Sequence, residues 1–113
     1  METSAWELFL PEGLLDFFEV SSAEKTKEGY TVNLVEKHLQ PGEFSGQRLT
    51  SKGFYEAVTV RDFPIRGRAC YLKLKRRRWL DEDTGQLVSR DWELVAKGTR
   101  MTNDLATFLK GLH

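Results

Sequence analysis

The apolar positions of this chain change period along its length, and each change marks an element. In "AWELFLPEGLLDFFEV", Leu8, Phe9, Leu14, Leu15, Phe17 and Phe18 recur at helical intervals, interrupted by Pro11 and Gly13. The spacing predicts one short helical turn before Pro11 and another around residues 14–18, both docked on a sheet. In "VSSAEKTKEGYTVNLVEKH" the period drops to two. Tyr30, Val32 and Leu34 share one face, Thr31 and Asn33 the other, and Glu28 and Gly29 mark the turn of a hairpin. "LQPGEFSGQRLTSKGF" holds Pro41, Gly42, Gly46 and Gly53 with little periodicity, and reads as a long loop.

Beyond that loop, "YEAVTVRDFPIRGRACYLKLKRRRWL" reads as a strand, a turn over residues 63–67 and a long second strand. On the second strand Cys70, Leu72 and Leu74 share one face, while Tyr71, Lys73, Lys75, Arg77 and Trp79 share the other. "DEDTG" is an acidic turn ending at Gly85. "QLVSRDWELV" alternates as a further strand with Val88, Arg90, Trp92 and Leu94 on one face. "TRMTNDLATFLKGL" returns to the helical period. Thr102 is the candidate N-cap, Leu105, Phe108, Leu109 and Leu112 form the apolar stripe, and Gly111 lies near the end. The elements add up to an α+β fold: a curved antiparallel sheet of about five strands, with N-terminal helical turns and a C-terminal helix packed on it.

At 113 residues the chain has room for one core, so residues 1–113 are read as a single domain. Its 40% hydrophobic and 30% charged content suits an ordinary globule. Net charge is zero but unevenly spread. Residues 1–47 carry three basic and nine acidic side chains, a net of −6; residues 48–100 carry thirteen and seven, a net of +6. That asymmetry suggests an anionic partner for the back half, or attraction between the halves within the fold.

Several function classes find no support. Cys70 is the only cysteine, which excludes an intrachain disulfide and a cysteine-based zinc site, and its strand position reads as a buried small hydrophobe. His38 and His113 are far apart and lack ligand partners. There is no paired-carboxylate signature, Gly-rich phosphate loop, histidine triad or metal-ligand spacing, so a non-enzyme with no cofactor and no metal is expected. No apolar run approaches the roughly 20 residues of a membrane span, and no secretory pattern opens the chain. A cytoplasmic protein without a membrane partner is the expectation.

The chemistry concentrates in "YLKLKRRRW". Strand alternation would put Lys73, Lys75 and Arg77 in a stripe framed by Tyr71 and Trp79, with Arg76 and Arg78 completing the run. Arg61, Arg66 and Arg68 lie in or beside the preceding turn and extend the patch. Lys97 and Arg100 precede the closing helix, whose N-terminus favours anions. Cations in such a stripe neutralise phosphates, arginine can grip them bidentately, and aromatics either stack on bases or pack on a core. Two other readings stay open. Asp81, Glu82, Asp83, Asp91 and Glu93 could pair with these cations across the ladder, or the stripe could meet an acidic protein.

The elements "SKGF", "RDFPIRGR", "KRRRW", "DEDTG" and "KGTRMT" resemble the N-terminal region protein of bacterial insertion-sequence transposases of the Aon type. The likeness runs from about "LPEGLLDFFEV" to "LATFLK". It implies a short frame that precedes a separate catalytic frame and lacks the catalytic carboxylates. "VRDFPIRGRACYLKLKRRRW" is similar to the segment before a C-x-x-C zinc knuckle in related L-type transposases. Here "LDEDTG" stands in the knuckle's place, with Leu80 and Asp83 roughly where cysteines would be, so no zinc is implied. The expected function is non-catalytic binding of duplex DNA at element ends. The alternative is a module that docks the separately encoded catalytic subunit.

Overall fold

Pro11 and Gly13 divide the first apolar run as the sequence suggests. A computed structural model, which describes residues 5–98 and 102–110, has a 3₁₀ turn over Ala5–Leu8 and one α-helical turn, α1, over Leu14–Phe17. Gly13 supplies the left-handed backbone between them, at φ 83°. Strands β1 (Phe18–Lys25) and β2 (Gly29–Glu36) then pair as an antiparallel hairpin. Thr26 and Gly29 close it by exchanging backbone hydrogen bonds of 2.6 and 3.2 Å.

A second hairpin joins β4 (Val58–Ile65) to β5 (Arg68–Lys75). Its turn is tighter than residues 63–67: Ile65 pairs with Arg68, and the two residues between them, Arg66 and Gly67, both have positive φ (52° and 76°), as a type I′ turn requires. The hairpins meet through β2 and β5, which run parallel, giving the sheet order β1-β2-β5-β4. The expected all-antiparallel sheet is therefore corrected to a mixed one.

The parallel seam explains Gly29 better than the hairpin turn does. Gly29 pairs with Ala69, and a Cβ at position 29 would stand 2.1 Å from the Ala69 carbonyl oxygen. Its φ of 146° also lies where residues with a Cβ rarely go.

The single five-strand sheet is corrected as well. The described residues of this α+β chain form seven strands in two sheets, with three short α-helices. The long strand expected through Trp79 stops at Lys75. After Arg76 the chain enters a second sheet as β6 (Arg77–Asp81), which lies between β3 (Leu49–Phe54) and β7 (Leu87–Val88). Strand β3 lies inside the segment read as a loop, and its pairing with β6 is irregular between Ser51 and Phe54, where Gly53 has φ 78°.

"QLVSRDWELV" is a strand only through Val88. The Asp91 carboxylate accepts from the backbone N–H groups of Glu93 (3.0 Å) and Leu94 (3.2 Å) and starts α2 (Trp92–Gly98). Thr102 caps α3 (Asn103–Leu109) by accepting from Leu105 N–H at 3.2 Å. Gly111, Leu112 and Arg100 lie outside the described residues.

One face of the four-stranded sheet is sealed. Val32 and Leu34 from β2, Val58 and Val60 from β4, and Cys70, Leu72 and Leu74 from β5 pack with Leu14, Phe18, Trp92, Val95, Leu105 and Leu109. Phe18 stacks on Trp92 at 5.3 Å, and Phe17 meets the same ring edge-on at 5.8 Å. Because strand side chains alternate, the residues between these core positions form the opposite, open face.

Candidate nucleic-acid interface

Register places three rows across the open face. Thr31, Tyr71 and Arg61 align in one row, Asn33, Lys73 and Thr59 in the next, and Val35 stands beside Lys75 in the third. Lys73 and Lys75 are exposed as expected, with Cys70, Leu72 and Leu74 buried beneath. Ser21, Ser22, Asn33, Val35, Ala57, Lys73 and Lys75 line a cleft of about 420 Å³ on this face. Asn33 donates to the Ser22 hydroxyl (3.0 Å), and the Ser21 hydroxyl donates to the Asn33 carbonyl (3.1 Å). The lining thus sets two lysines beside hydroxyl and amide groups and the apolar residues Leu34, Val35 and Ala57.

The acids expected to neutralise this stripe are engaged elsewhere. Asp83 pairs with Arg48 at 2.5 Å, which holds its carboxyl below the usual aspartate range. Glu82 accepts from the Thr50 hydroxyl at 2.6 Å, and Glu93 pairs with Lys110 at 2.6 Å. Asp81 accepts from Asp83 and Thr84 N–H inside its own turn, and Asp91 caps α2. Among the described residues neither Lys73 nor Lys75 has an ion-pair partner. Glu19 and Glu24 of β1 share the open face by register, two strand spacings from β5, or about 10 Å.

The three arginines after Lys75 do different work. Arg76 Nη1 donates to the Leu109 carbonyl (2.9 Å) at the end of α3, where a cation suits the helix dipole. Arg77 donates to the Glu36 and Lys37 carbonyls (3.1–3.3 Å) and to the Ser51 hydroxyl (2.7 Å), and lies 4.7 Å over the Phe54 ring. Arg78 donates to the Lys52 carbonyl (3.1 Å). Arg76 ties the junction to α3, Arg77 to β2 and β3, and Arg78 to β3, and all three side chains are half-buried. The expected exposure of Arg77 beside Lys73 and Lys75 is therefore corrected. The physical reason is the break at Arg76, which moves Arg77 onto the other sheet. Trp79 is only 2% exposed and packs against His38 (5.3 Å), so its ring has no face free for a base.

Arg61, Arg66 and Arg68 remain exposed on the β4–β5 hairpin. Lys97 is exposed in the last turn of α2, on a different element, and Arg100 lies outside the described residues. The structure thus brings Lys73, Lys75 and the hairpin arginines onto one supersecondary unit and separates Arg76, Arg77, Arg78 and Trp79 from them.

The sequence reading missed the buried pair beneath this junction. Glu36, 1% exposed, accepts from Arg77 N–H (2.9 Å) and from Arg90 Nε (3.1 Å). Arg90 also donates to the Leu39 carbonyl (2.6 Å) and lies 4.9 Å over the Phe17 ring. The signal was present, since the period-two series Val32, Leu34, Glu36 points the carboxylate into the core. Burial pushes the Cys70 thiol above the usual range, consistent with a packed hydrophobe and not with a nucleophile. No cluster of three or more His, Cys, Asp or Glu among the described residues could hold a metal ion. No helix among them is long and apolar enough to cross a membrane. No protein-family model, curated protein or solved structure matches the chain.

Proposed function

We propose that this chain is a non-catalytic DNA-binding accessory region of a bacterial transposase that lays the open face of its four-stranded sheet on the duplex backbone at element ends. One observation carries the reading. Lys73 and Lys75 stand exposed, with no ion-pair partner among the described residues, over a cleft that also offers hydroxyl and amide groups, while the acids nearest in sequence are engaged elsewhere. Unpaired ammonium groups beside neutral hydrogen-bonding groups suit phosphate oxygens, which position a protein without reading sequence. The resemblance of "RDFPIRGR" and "KRRRW" to transposase N-terminal regions supports the same reading. Arg61 extends the surface and Arg66 and Arg68 stand at the turn of the same hairpin; Arg77 serves it by holding the two sheets together.

The test is a titration of element-end and random duplexes at two salt concentrations. Replacing Lys73 and Lys75 by Ala should flatten the log-affinity against log-salt line by about 1.8, at about 0.9 per phosphate contact. A folded double variant with unchanged affinity and slope would sink the proposal.

A second reading, docking of the catalytic subunit, draws on a different surface. Trp6, Phe9, Leu10, Tyr30 and Ile65 line an apolar groove of about 400 Å³, and Phe9 is 58% exposed beside it. Co-purification with the downstream catalytic frame, abolished by Phe9→Asp and accompanied by no DNA affinity, would favour this reading.

A further inference from the structure

The β4–β5 hairpin carries a side chain that folding does not explain. Phe63 is 86% exposed, the most exposed large hydrophobic side chain among the described residues. It follows Arg61 and Asp62 on β4, within the irregular stretch before Ile65 and so close to the turn of the hairpin. Exposed arginines flank it in sequence, with Arg61 before it and Arg66 and Arg68 after. None of the three has an ion-pair partner among the described residues.

The turn reinforces the pattern. Arg66 is the one non-glycine residue at positive φ among the described residues (52°). Asn, Asp or Gly fits that position with less steric conflict, so the backbone is held in a disfavoured state that keeps a guanidinium at the tip. β4 is also an edge strand, but Phe63 is poorly placed to recruit another strand. Pairing in the hairpin is irregular between Asp62 and Ile65, and Pro64 has no N–H to donate. An exposed ring, unsuited to strand addition and carried on a hairpin where three exposed arginines outnumber the adjacent Asp62, has charge complementarity to nucleic acid.

We infer that Phe63 is a wedge that enters between base pairs of duplex DNA, with Arg61, Arg66 and Arg68 on the adjoining phosphates. This rests on the DNA-binding reading above and adds its mode. Apolar side chains inserted at a base step unstack it and bend the duplex by about 20–90°. Pyrimidine–purine steps yield most easily, so the wedge would favour sites that hold one. The bend draws flanking phosphates toward the face that carries Lys73 and Lys75.

The experiment uses the full chain and a short duplex with a central TA step, a dye at each end and, in a second version, 2-aminopurine beside the step. Binding of the wild-type chain should raise energy transfer between the ends and raise 2-aminopurine emission. Phe63→Ala should keep the wild-type salt slope and lose both signals, while Phe63→Leu should keep them. A Phe63→Ala protein that binds and still gives both signals overturns the wedge and leaves the DNA-binding reading standing. A wild-type chain with no affinity for any duplex overturns both. Self-association abolished by Phe63→Ala, with no change in DNA signals, would assign the ring to a contact between copies and overturn the wedge.

Discussion

Glu36 occupies the next core-facing position after Val32 and Leu34, and its carboxylate is buried among the groups that join the two sheets. Burial pushes its pKa above the usual glutamate range, against the opposing pull of the Arg77 N–H and of Arg90. The folded chain therefore holds this proton more tightly than the unfolded chain. The stability contributed by that difference is fully present below the ordinary glutamate pKa and is lost as pH rises through the raised value. Glu36→Gln fixes the neutral form. The stability margin of the wild type over this variant should shrink as pH rises above the ordinary glutamate value, read by urea denaturation. Glu36→Ala should be worse, by about 3–5 kcal/mol at neutral pH, because it leaves the Arg90 guanidinium buried and uncompensated. Little change for Glu36→Ala would mean that water reaches Arg90 and that the pair is not a brace. Asp83 shows the opposite sign. Arg48 holds its carboxyl low, so its contribution is present above the ordinary aspartate pKa and is lost in acid.

Among the elements, the junction from β5 through Arg76 into β6 separates two kinds of basic residue that look alike in "KLKRRRW". Arg77→Ala should cost about 2–3 kcal/mol, since it removes charge-assisted bonds to Glu36, Lys37 and Ser51. Lys73→Ala and Lys75→Ala should each stay within about 0.5 kcal/mol, because both side chains are exposed and have no ion-pair partner among the described residues. Thermal melts of the three variants test the contrast, and equal losses for Arg77 and the lysines would erase it. The sequence could not display this split. Where a strand leaves one sheet for another depends on what it packs against, and five cations within the six positions 73–78 carry no mark of it. The hairpins were legible because Val32, Leu34, Leu72 and Leu74 alternate cleanly with polar neighbours. Strand β3 was not, because Thr50, Ser51, Lys52 and Gly53 hold no apolar pattern and owe their conformation to pairing with β6. Helix α2 was misread for a third reason: Val88, Arg90, Trp92 and Leu94 satisfy period two, while Trp92, Val95 and Ala96 satisfy the helical period. The Asp91 cap decides between them.

Over the whole molecule, the parallel seam between β2 and β5 joins segments forty residues apart, from Gly29 beside Ala69 to Val35 beside Lys75. Gly29→Ala drives a methyl into the Ala69 carbonyl at a φ that disfavours it, and should cost about 2–5 kcal/mol. Each hairpin closes locally, within about 1–10 μs by the usual timescale, yet neither alone assembles the core. Burial follows only when β2 meets β5, and closing a loop of that length carries an entropy cost of about 3 kcal/mol, plus a constant, before contacts return it. Docking of the hairpins is then the slow step, and Gly29→Ala should lower the stopped-flow refolding rate as well as the equilibrium stability. A variant whose whole loss appears as faster unfolding would show that the seam forms after the barrier. The order also bears on synthesis: the β1–β2 hairpin leaves the ribosome with Val32 and Leu34 uncovered, and it must wait in that state until the whole of β5 has emerged.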